Sequence, residues 1–397
     1  MFTVLPRLRK ATLSLAALAA ASLLAACDPV TTAGLGGAAS NTGGPAIQAG
    51  APVPVALLVP KSDSGAGPVA ASLENAARLA MQDLDGVEID LRVYDTAGQA
   101  AQASAVAQKA VDDGAKIILG PLFSEAANAA GAAVADEGVN VLSFSNTTAI
   151  AGGNVFILGP TFANTADRLM AHARKTGKKS IVIIYSNDVP GQFGKIAIEQ
   201  AATVNGIQVV SSEAYELSIE GVTATAKRAA AAVTSGAADT IFITTEAANA
   251  AMPILLDQLP ANGVTPGQIQ LAGLTRFDVR PDLFANPGLQ GVWFGVPDRS
   301  RQEAFNQRYT AAYGASPHPL AGLAFDGISA IGLLAKKGNS DALTGKSLTS
   351  ASFTGTGGVF RLLKNGTNQR ALAIASIQNN QMVILDPAPS SLSGAGF

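Results

Sequence analysis

Residues 52–60 read Pro-Val-Pro-Val-Ala-Leu-Leu-Val-Pro, and their uninterrupted apolar run, 53–59, decides the class of fold. An apolar run of this length without polar alternation is typical of a parallel strand that is buried on both faces. Pro60 ends the run, a Gly/Ser loop follows, and apolar residues then recur at helical spacing over 69–84. This stretch therefore predicts a strand, a loop and a helix, the first unit of a layered α/β fold.

The same alternation of strands and helices continues in two series. The first series has predicted strands at 53–59, 89–94, 117–119 and 139–144 and helices at 69–84, 99–113 and 124–137. The second has strands at 181–185, 207–211 and 240–244 and helices at 166–175, 195–205, 223–234 and 247–259. Because 397 residues exceed the usual size of one hydrophobic core, we expect two doubly wound parallel-sheet lobes.

The amino terminus predicts export. Arg7, Arg9 and Lys10 precede an uncharged apolar run at 11–26, which is the pattern of a secretory signal peptide. The run is shorter than the roughly 20 residues that a helix needs to cross a bilayer.

The end of this run, Leu24-Ala25-Ala26-Cys27, resembles a bacterial lipobox, so we expect 1–26 to be a lipoprotein signal peptide and Cys27 to be lipidated. Acyl chains on Cys27 would anchor the protein to the inner or outer membrane. The small and polar residues at 27–52 predict a flexible tether, and a similar composition at 387–397 predicts a disordered tail.

Composition and motifs argue against several functions. Lys and Arg total 27 against 29 Asp and Glu, so nothing favours nucleic acid as a partner, and a single cysteine excludes a disulfide scaffold. The only histidines are His172, predicted on a solvated helix face, and His318 in a loop, and no HExxH, CxxC or GxSxG occurs. We therefore predict neither catalytic residues, metal nor cofactor. The GxGxxA match at 65–70 is disfavoured because Gly65 lies away from the strand end.

Seven motifs in a defined order carry a resemblance to a known family. They are Val55-Ala56-Leu57-Leu58-Val59-Pro60, Tyr94-Asp95-Thr96, Ile118-Leu119-Gly120-Pro121-Leu122-Phe123-Ser124, Ser143-Phe144-Ser145-Asn146, Phe193-Gly194, Ala324-Phe325-Asp326-Gly327, and Gly357-Gly358-Val359-Phe360-Arg361 with Asn365-Gly366. Together they resemble type I periplasmic binding proteins of the leucine/isoleucine/valine-binding kind, and especially the lipoprotein branch called penicillin-binding-protein activators.

This resemblance implies two lobes that close on a small molecule through a hinge of three crossing segments, expected near Gly159, Val296 and Gly366. The N-terminal lobe would comprise 53–159 and 296–366. The C-terminal lobe would comprise 160–295 and 370–386.

In the first lobe, the resemblance places the ligand's backbone at Ser124, Ser145, Asn146 and Thr147, where loops lead from strand ends into helix N-termini. Such N-termini suit an anionic carboxylate. Ser124 also fits the role of a helix N-cap, in which case it would act in stability alone.

In the second lobe, Phe193 matches the aromatic residue that covers the ligand in the family. Glu246 lies roughly where relatives hold the ligand's ammonium group, although an acid there also suits a helix N-terminus. An inserted Pro190-Gly191 and the apolar 121–123 argue against leucine-like specificity.

The resulting hypothesis is a periplasmic, lipid-anchored, non-enzymatic binding protein for an amino acid or similar small polar ligand, associated with ABC transport. The alternative is a penicillin-binding-protein activator that regulates peptidoglycan synthesis by contact with a cell-wall synthase.

Overall fold

The computed structural model describes residues 44–246 and 248–392. The predicted signal peptide, Cys27, most of the predicted tether and the last five residues lie outside this part of the chain. Within it, no helix combines the length and the apolar character that crossing a bilayer requires.

The first lobe is built on a five-stranded parallel sheet of order β2-β1-β3-β4-β5. Its strands are β1 (Val53–Val59), β2 (Ile89–Asp95), β3 (Ile117–Leu119), β4 (Asn140–Ser143) and β5 (Val155–Ile157). The connecting helices are α1 (Gly67–Met81), α2 (Ala100–Asp112) and α3 (Ser124–Ala133). Residues 55–59 of β1 are fully buried because helices cover both faces of the sheet, as the uninterrupted run predicts.

The second lobe is built on a seven-stranded sheet of order β15-β14-β10-β9-β8-β6-β7. Five strands are parallel: β6 (Ser180–Ser186), β7 (Gln208–Tyr215), β8 (Thr240–Ile243), β9 (Gln270–Gly273) and β10 (Trp293–Val296). A closing hairpin, β14 (Ala373–Gln378) and β15 (Gln381–Asp386), is antiparallel. Its helices are α4 (Phe162–Lys175), α5 (Val189–Asn205), α6 (Ile219–Thr234) and α7 (Ala251–Ala261).

The segment between β10 and β14 returns to the first lobe. It contains α8 (Arg299–Tyr313), α9 (Ala321–Ala335), α10 (Gly345–Thr349) and a small antiparallel sheet of β11 (Ser352–Gly355), β12 (Gly358–Leu362) and β13 (Asn368–Arg370). Buried side chains of α9 and of this small sheet share one hydrophobic core with β1 and α1. The expected α/β architecture of two lobes, each with a mostly parallel sheet, is therefore confirmed.

The chain passes between the two large sheets three times: after β5, after β10 and after β13. One hydrogen bond joins the third passage to the first, and another joins the second passage to the turn between β11 and β12. Arg370 Nε donates to the Leu158 carbonyl over 3.1 Å, and the Asp298 N–H donates to the Gly357 carbonyl over 2.9 Å. Gly366, near which we expected the third crossing, lies in the turn between β12 and β13. The sheet changes only after Arg370.

Three helix starts differ from the sequence prediction, and a capping side chain explains two of them. α5 begins at Val189, earlier than the expected 195, because the Asp188 side chain accepts a hydrogen bond from the Gly191 N–H over 2.8 Å. α6 begins at Ile219, earlier than the expected 223, because the Ser218 hydroxyl accepts a hydrogen bond from the Gly221 N–H over 2.9 Å. α7 begins at Ala251, later than the expected 247, so a loop separates it from β8.

The described ends of the predicted tether and tail pack against the protein. Ile47 is buried in the core of the first lobe, and its N–H donates to the Ser340 carbonyl over 3.0 Å. Leu392 is buried against Val359 and Ala371.

The prediction of a solvated His172 is wrong. The His172 ring is buried, lies edge-on to Trp293 with ring centres 4.7 Å apart, and has Nδ1 3.4 Å from the Asp386 carboxylate. Arg168 and Lys175, on the same face of α4, contact the same carboxylate at 3.2 and 3.3 Å. Burial lowers the pKa of His172, Arg168 and Lys175 lower it further, and Asp386 opposes them.

His172 should make the protein less stable in mild acid. Because its pKa is lowered in the folded protein, the unfolded chain binds the proton more readily as the pH falls below about 6.5. The contribution of neutral His172 to the free energy of unfolding is therefore fully present above that pH. It declines below that pH, by at most about 1.4 kcal/mol per pH unit for one proton. Urea unfolding between pH 7.5 and 5 should show this slope, and His172→Gln should reduce it. An unchanged slope would exclude His172 as its source.

Candidate ligand-binding site

The ends of β3 and β4 form one rigid corner of the first lobe. The Gly120 N–H donates to the Leu142 carbonyl over 2.8 Å, and both the Phe144 N–H and the Ser143 hydroxyl donate to the Pro121 carbonyl, over 3.0 and 3.1 Å. Adjacent parallel strands thus bring the loop that leads to Ser124 beside the loop at 145–147.

Ser124 is the first residue of α3, so its expected role as an N-cap is wrong. The N-cap is Phe123, which makes no side-chain capping hydrogen bond. The N–H groups of the first turn therefore lack the usual side-chain acceptor. A helix N-terminus also carries a partial positive charge. The N–H groups at this end of α3 can bind an anionic group, with the exposed Glu125 of the same turn opposing it.

The β4 loop contributes hydroxyl and amide groups to the same corner. Ser145 is buried, and its Oγ accepts a hydrogen bond from the Thr147 N–H over 3.1 Å, which fixes the loop. Asn146 is exposed and Thr147 is half-buried, so both side chains can be reached from solvent.

Phe123 was not among the residues that we predicted for the site. Its ring is 40% exposed at the end of β3, beside Gly98 from the β2 loop. The sequence signal was present, since an apolar residue directly before a helix N-terminus at the end of a buried strand is well placed to contact a ligand.

The corresponding corner of the second lobe is formed by the ends of β6 and β8. The N-terminus of α5 is occupied by its own cap, Asp188, and so differs from that of α3. Phe193, in the second turn of α5, is 49% exposed. The following residue, Gly194, packs so closely on Thr244 at the end of β8 that an added Cβ would lie 3.0 Å from that side chain.

Glu246 lies two residues beyond Thr244, in the loop before α7, and it is exposed. Its carbonyl accepts a hydrogen bond from the Asn249 N–H over 3.0 Å. Because α7 begins only at Ala251, Glu246 does not lie at a helix N-terminus, which removes the purely structural reason for an acid at this position.

Two threonines at this corner were missed. The Thr245 hydroxyl and the Tyr215 hydroxyl are 2.8 Å apart, and burial raises the pKa of Tyr215. The Thr244 hydroxyl is buried and has no hydrogen-bond partner in the described part of the chain.

The six predicted residues thus fall into two groups, four at one corner of the first lobe and two at one corner of the second. A groove of about 460 Å³ lies elsewhere, beside the second crossing at Val296 and Pro297, and none of the six residues lines it. Over residues 44–246 and 248–392, no cluster of His, Cys, Asp or Glu could hold a metal ion.

The sequence and the fold have clear relatives. The chain matches the family model described as periplasmic binding protein over residues 52–381. No curated protein matches its sequence at a significant level.

Solved structures share the fold at low sequence identity. A putative branched-chain amino acid ABC transporter from Rhodospirillum rubrum is 18% identical, with a TM-score of 0.71 over 84% of this chain and 100% of that one. A substrate-binding protein from Desulfitobacterium hafniense in complex with Leu is 18% identical, with a TM-score of 0.59 over 84% and 100%. A solute-binding protein from Rhodopseudomonas palustris in complex with 3,4-dihydroxybenzoic acid is 18% identical, with a TM-score of 0.55 over 85% and 98%.

A family match over most of the chain, two lobes with mostly parallel sheets and three crossings between them lead to the same conclusion: this chain belongs to the periplasmic binding protein family and has the type I fold of its branched-chain amino acid-binding members.

Proposed function

We propose that this protein binds an amino acid or a similar small carboxylate between its two lobes, as the ligand-binding component of an ABC transporter. The proposal rests on one observation: the N-terminus of helix α3 has no side-chain cap and lies beside the hydroxyl groups of the β4 loop. The carboxylate of the ligand would accept hydrogen bonds from the first N–H groups of α3 and from Ser124 and Thr147.

The second lobe would provide the groups that close on the ligand. Phe193 would cover its side chain, and Glu246 would pair with an ammonium group. Both side chains are exposed near the carboxyl edge of the second sheet, as contact with a ligand held on the first lobe would require. Closure of the lobes would then bury the pair formed by Glu246 and the ammonium group.

The ligands of two relatives differ in one of the two groups that we propose are recognised, the carboxylate at α3 and the ammonium group at Glu246. Leu and 3,4-dihydroxybenzoic acid each carry a carboxyl group, and only Leu carries an ammonium group. If the carboxylate site at α3 is the common element, Glu246 decides between amino acids and simple organic acids.

A thermal-shift screen against free amino acids, aromatic carboxylic acids and cell-wall fragments tests this proposal. A ligand at 100 times its Kd should stabilise the protein by about 2.7 kcal/mol. Glu246→Ala should weaken the binding of an amino acid at least tenfold, because the ammonium group loses its partner, and should leave binding of an acid without an ammonium group unchanged. The control is Glu88→Ala. Glu88 is an exposed acid directly before β2, at the amino-terminal edge of the first sheet. Equal affinity in the Glu246 and Glu88 variants would remove Glu246 from the site.

The lipid anchor is part of this proposal and is supported by Leu24-Ala25-Ala26-Cys27. It would hold the protein at a membrane surface in the periplasm, with the tether providing reach.

The second candidate function is that of a penicillin-binding-protein activator, which contacts a cell-wall synthase. It is favoured by the exposed Phe123 and by the apolar Pro121 and Leu122 before it, where a polar loop would suit an amino acid better. The absence of a thermal shift with every free amino acid, together with co-purification of a synthase, would favour this function over transport.

A further inference from the structure

The groove beside the second crossing has one wall from each lobe. Its volume of about 460 Å³ lies within the range of small-molecule sites, about 300–1,000 Å³. One wall is helix α8, which also places Phe305 and Tyr309 in the core of the first lobe. The other wall includes Phe284 and Met382, which pack against the core of the second lobe. A molecule in the groove would therefore contact both lobes.

The wall formed by α8 is polar. Arg299, Gln302, Glu303 and Asn306 line the groove, and their spacing of three, one and three residues places them on one face of the helix. This face of α8 therefore presents two carboxamide groups to the groove, between side chains of opposite charge.

The opposite wall supplies two more carboxamides, Asn380 and Gln381, at the turn between β14 and β15. Gln290 fixes this turn to the segment that carries Phe284. Its side-chain amide donates to the Phe284 carbonyl over 2.6 Å, and its Oε1 accepts a hydrogen bond from the Asn380 N–H over 3.4 Å. The wall is thus formed before a ligand arrives, which lowers the entropy lost on binding.

Three of these four carboxamides are available to a ligand. Over residues 44–246 and 248–392, the side chains of Gln302, Asn306 and Gln381 form no hydrogen bond with another residue of the chain. Gln302 is half-buried, and the other two are exposed. A carboxamide offers both N–H donors and a carbonyl acceptor, and a hydroxyl group both donates and accepts. The free groups therefore match a ligand that carries several hydroxyl groups.

The charged side chains of the groove are paired with one another. Arg276 Nε donates to Asp278 Oδ1 over 2.9 Å, and Arg299 Nη2 lies 3.3 Å from Glu303 Oε1. A charged ligand would have to compete with these pairs, whereas an uncharged ligand would leave them intact. The lining of the groove therefore favours an uncharged ligand.

We propose that this groove binds an uncharged saccharide of one or two sugar rings, which bridges the two lobes. The carboxamides would pair with its hydroxyl groups, and Phe284 and Met382 would contact the apolar C–H face of a ring. A peptide is disfavoured, because peptides bind to free strand edges or to apolar grooves. Most of the residues that line this groove have polar side chains.

The saccharide site does not depend on the proposed function, because no residue that we propose for the ligand-binding site lines the groove. Glu246→Ala should weaken the binding of an amino acid and leave the binding of the saccharide unchanged. The groove variants described below should have the opposite effect. A failure of one proposal is therefore distinguishable from a failure of the other.

Isothermal titration calorimetry of the full chain with maltose, lactose and N,N′-diacetylchitobiose tests this inference. At least one of the three saccharides should bind at millimolar concentration. Gln302→Ala with Asn306→Ala, on the wall of the first lobe, should weaken that binding about tenfold through lost hydrogen bonds. Gln381→Ala, on the wall of the second lobe, should weaken it severalfold for the same reason.

Gln307→Ala and Gln378→Ala are the matched controls. Both carboxamides are exposed and lie outside the groove, Gln307 next to Asn306 on α8 and Gln378 opposite Gln381 in the hairpin. Both variants should bind the saccharide as the wild type does. Any of the following results would overturn the proposal: no binding of any of the three saccharides, unchanged binding in the variants of either wall, equal losses in the controls, loss of saccharide binding in Glu246→Ala, or tighter binding of the uncharged peptide N-acetyl-trialanine amide.

Discussion

Replacing Arg370 with alanine should destabilise the protein by about 3–5 kcal/mol, because it leaves a buried carboxylate without its counter-charge. The carboxylate belongs to Asp326 on α9, which is 1% exposed. Arg370 Nη1 lies 3.2 Å from Asp326 Oδ2, and the Thr356 N–H donates to Oδ1 over 2.7 Å. No room is left for water on one side, since a Cβ at Gly355 would lie 2.6 Å from the carboxylate.

Arg370 also joins two of the three crossings. It is the last residue of β13, directly before the third crossing, and it donates to the Leu158 carbonyl in the first. Its guanidinium group lies 4.8 Å from the centre of the Phe360 ring. Alanine would remove all three interactions, so the loss should extend from the core of the first lobe to the hinge.

Urea unfolding of three variants measures this effect. Arg361→Ala is the control, because Arg361 lies on the adjacent strand and hydrogen-bonds only the neutral Gln369 in the described part of the chain. It should cost less than about 1 kcal/mol. Arg370→Met combined with Asp326→Asn should be less damaging than Arg370→Ala alone, since no charge is then left unpaired. If Arg370→Ala costs no more than Arg361→Ala, the buried carboxylate is stabilised by other groups.

The sequence was most informative where burial alone determines structure. The run at 53–59 and the short run at 117–119 match β1 and β3 residue for residue, because strands covered on both faces must be apolar throughout. Helix starts were less predictable. The cap residues Asp188 and Ser218 precede first turns in which apolar residues do not recur at helical spacing. Apolar periodicity alone therefore predicted starts for α5 and α6 that are too late.

The positions of the proposed site residues were predictable within each lobe but not across the two lobes. Parallel pairing of β3 with β4 was enough to bring the loop of Ser124 beside that of Thr147. The contacts of His172 could not be foreseen in the same way, because Trp293 and Asp386 reach it from distant parts of the chain. The relative placement of Ser124 and Glu246 depends on the angle between the lobes, for which local sequence carries no signal.

Gly120→Ala should be the second most damaging of these substitutions, at about 3 kcal/mol or more, from two additive causes. Gly120 has a φ of +92°, a conformation that disfavours every residue with a Cβ. The added Cβ would also lie 2.2 Å from the Leu58 carbonyl oxygen, in the middle of the first sheet. β1 pairs on both sides, with β2 and β3, so it cannot move away without breaking hydrogen bonds.

Gly114→Ala separates the two causes. Gly114 lies just before β3, and Gly120 lies just after it. Gly114 has a φ of +98°, but an added Cβ there would meet nothing within 4 Å. It should cost only about 1 kcal/mol, which is the effect of the backbone conformation alone. Thermal and urea unfolding of both variants give the difference, which is the effect of the clash with Leu58. Since Gly120 leads directly to Ser124, any displacement that relieves the clash should also weaken ligand binding, whereas Gly114→Ala should bind normally. Similar losses of stability in the two variants would show that β1 yields to the added methyl group.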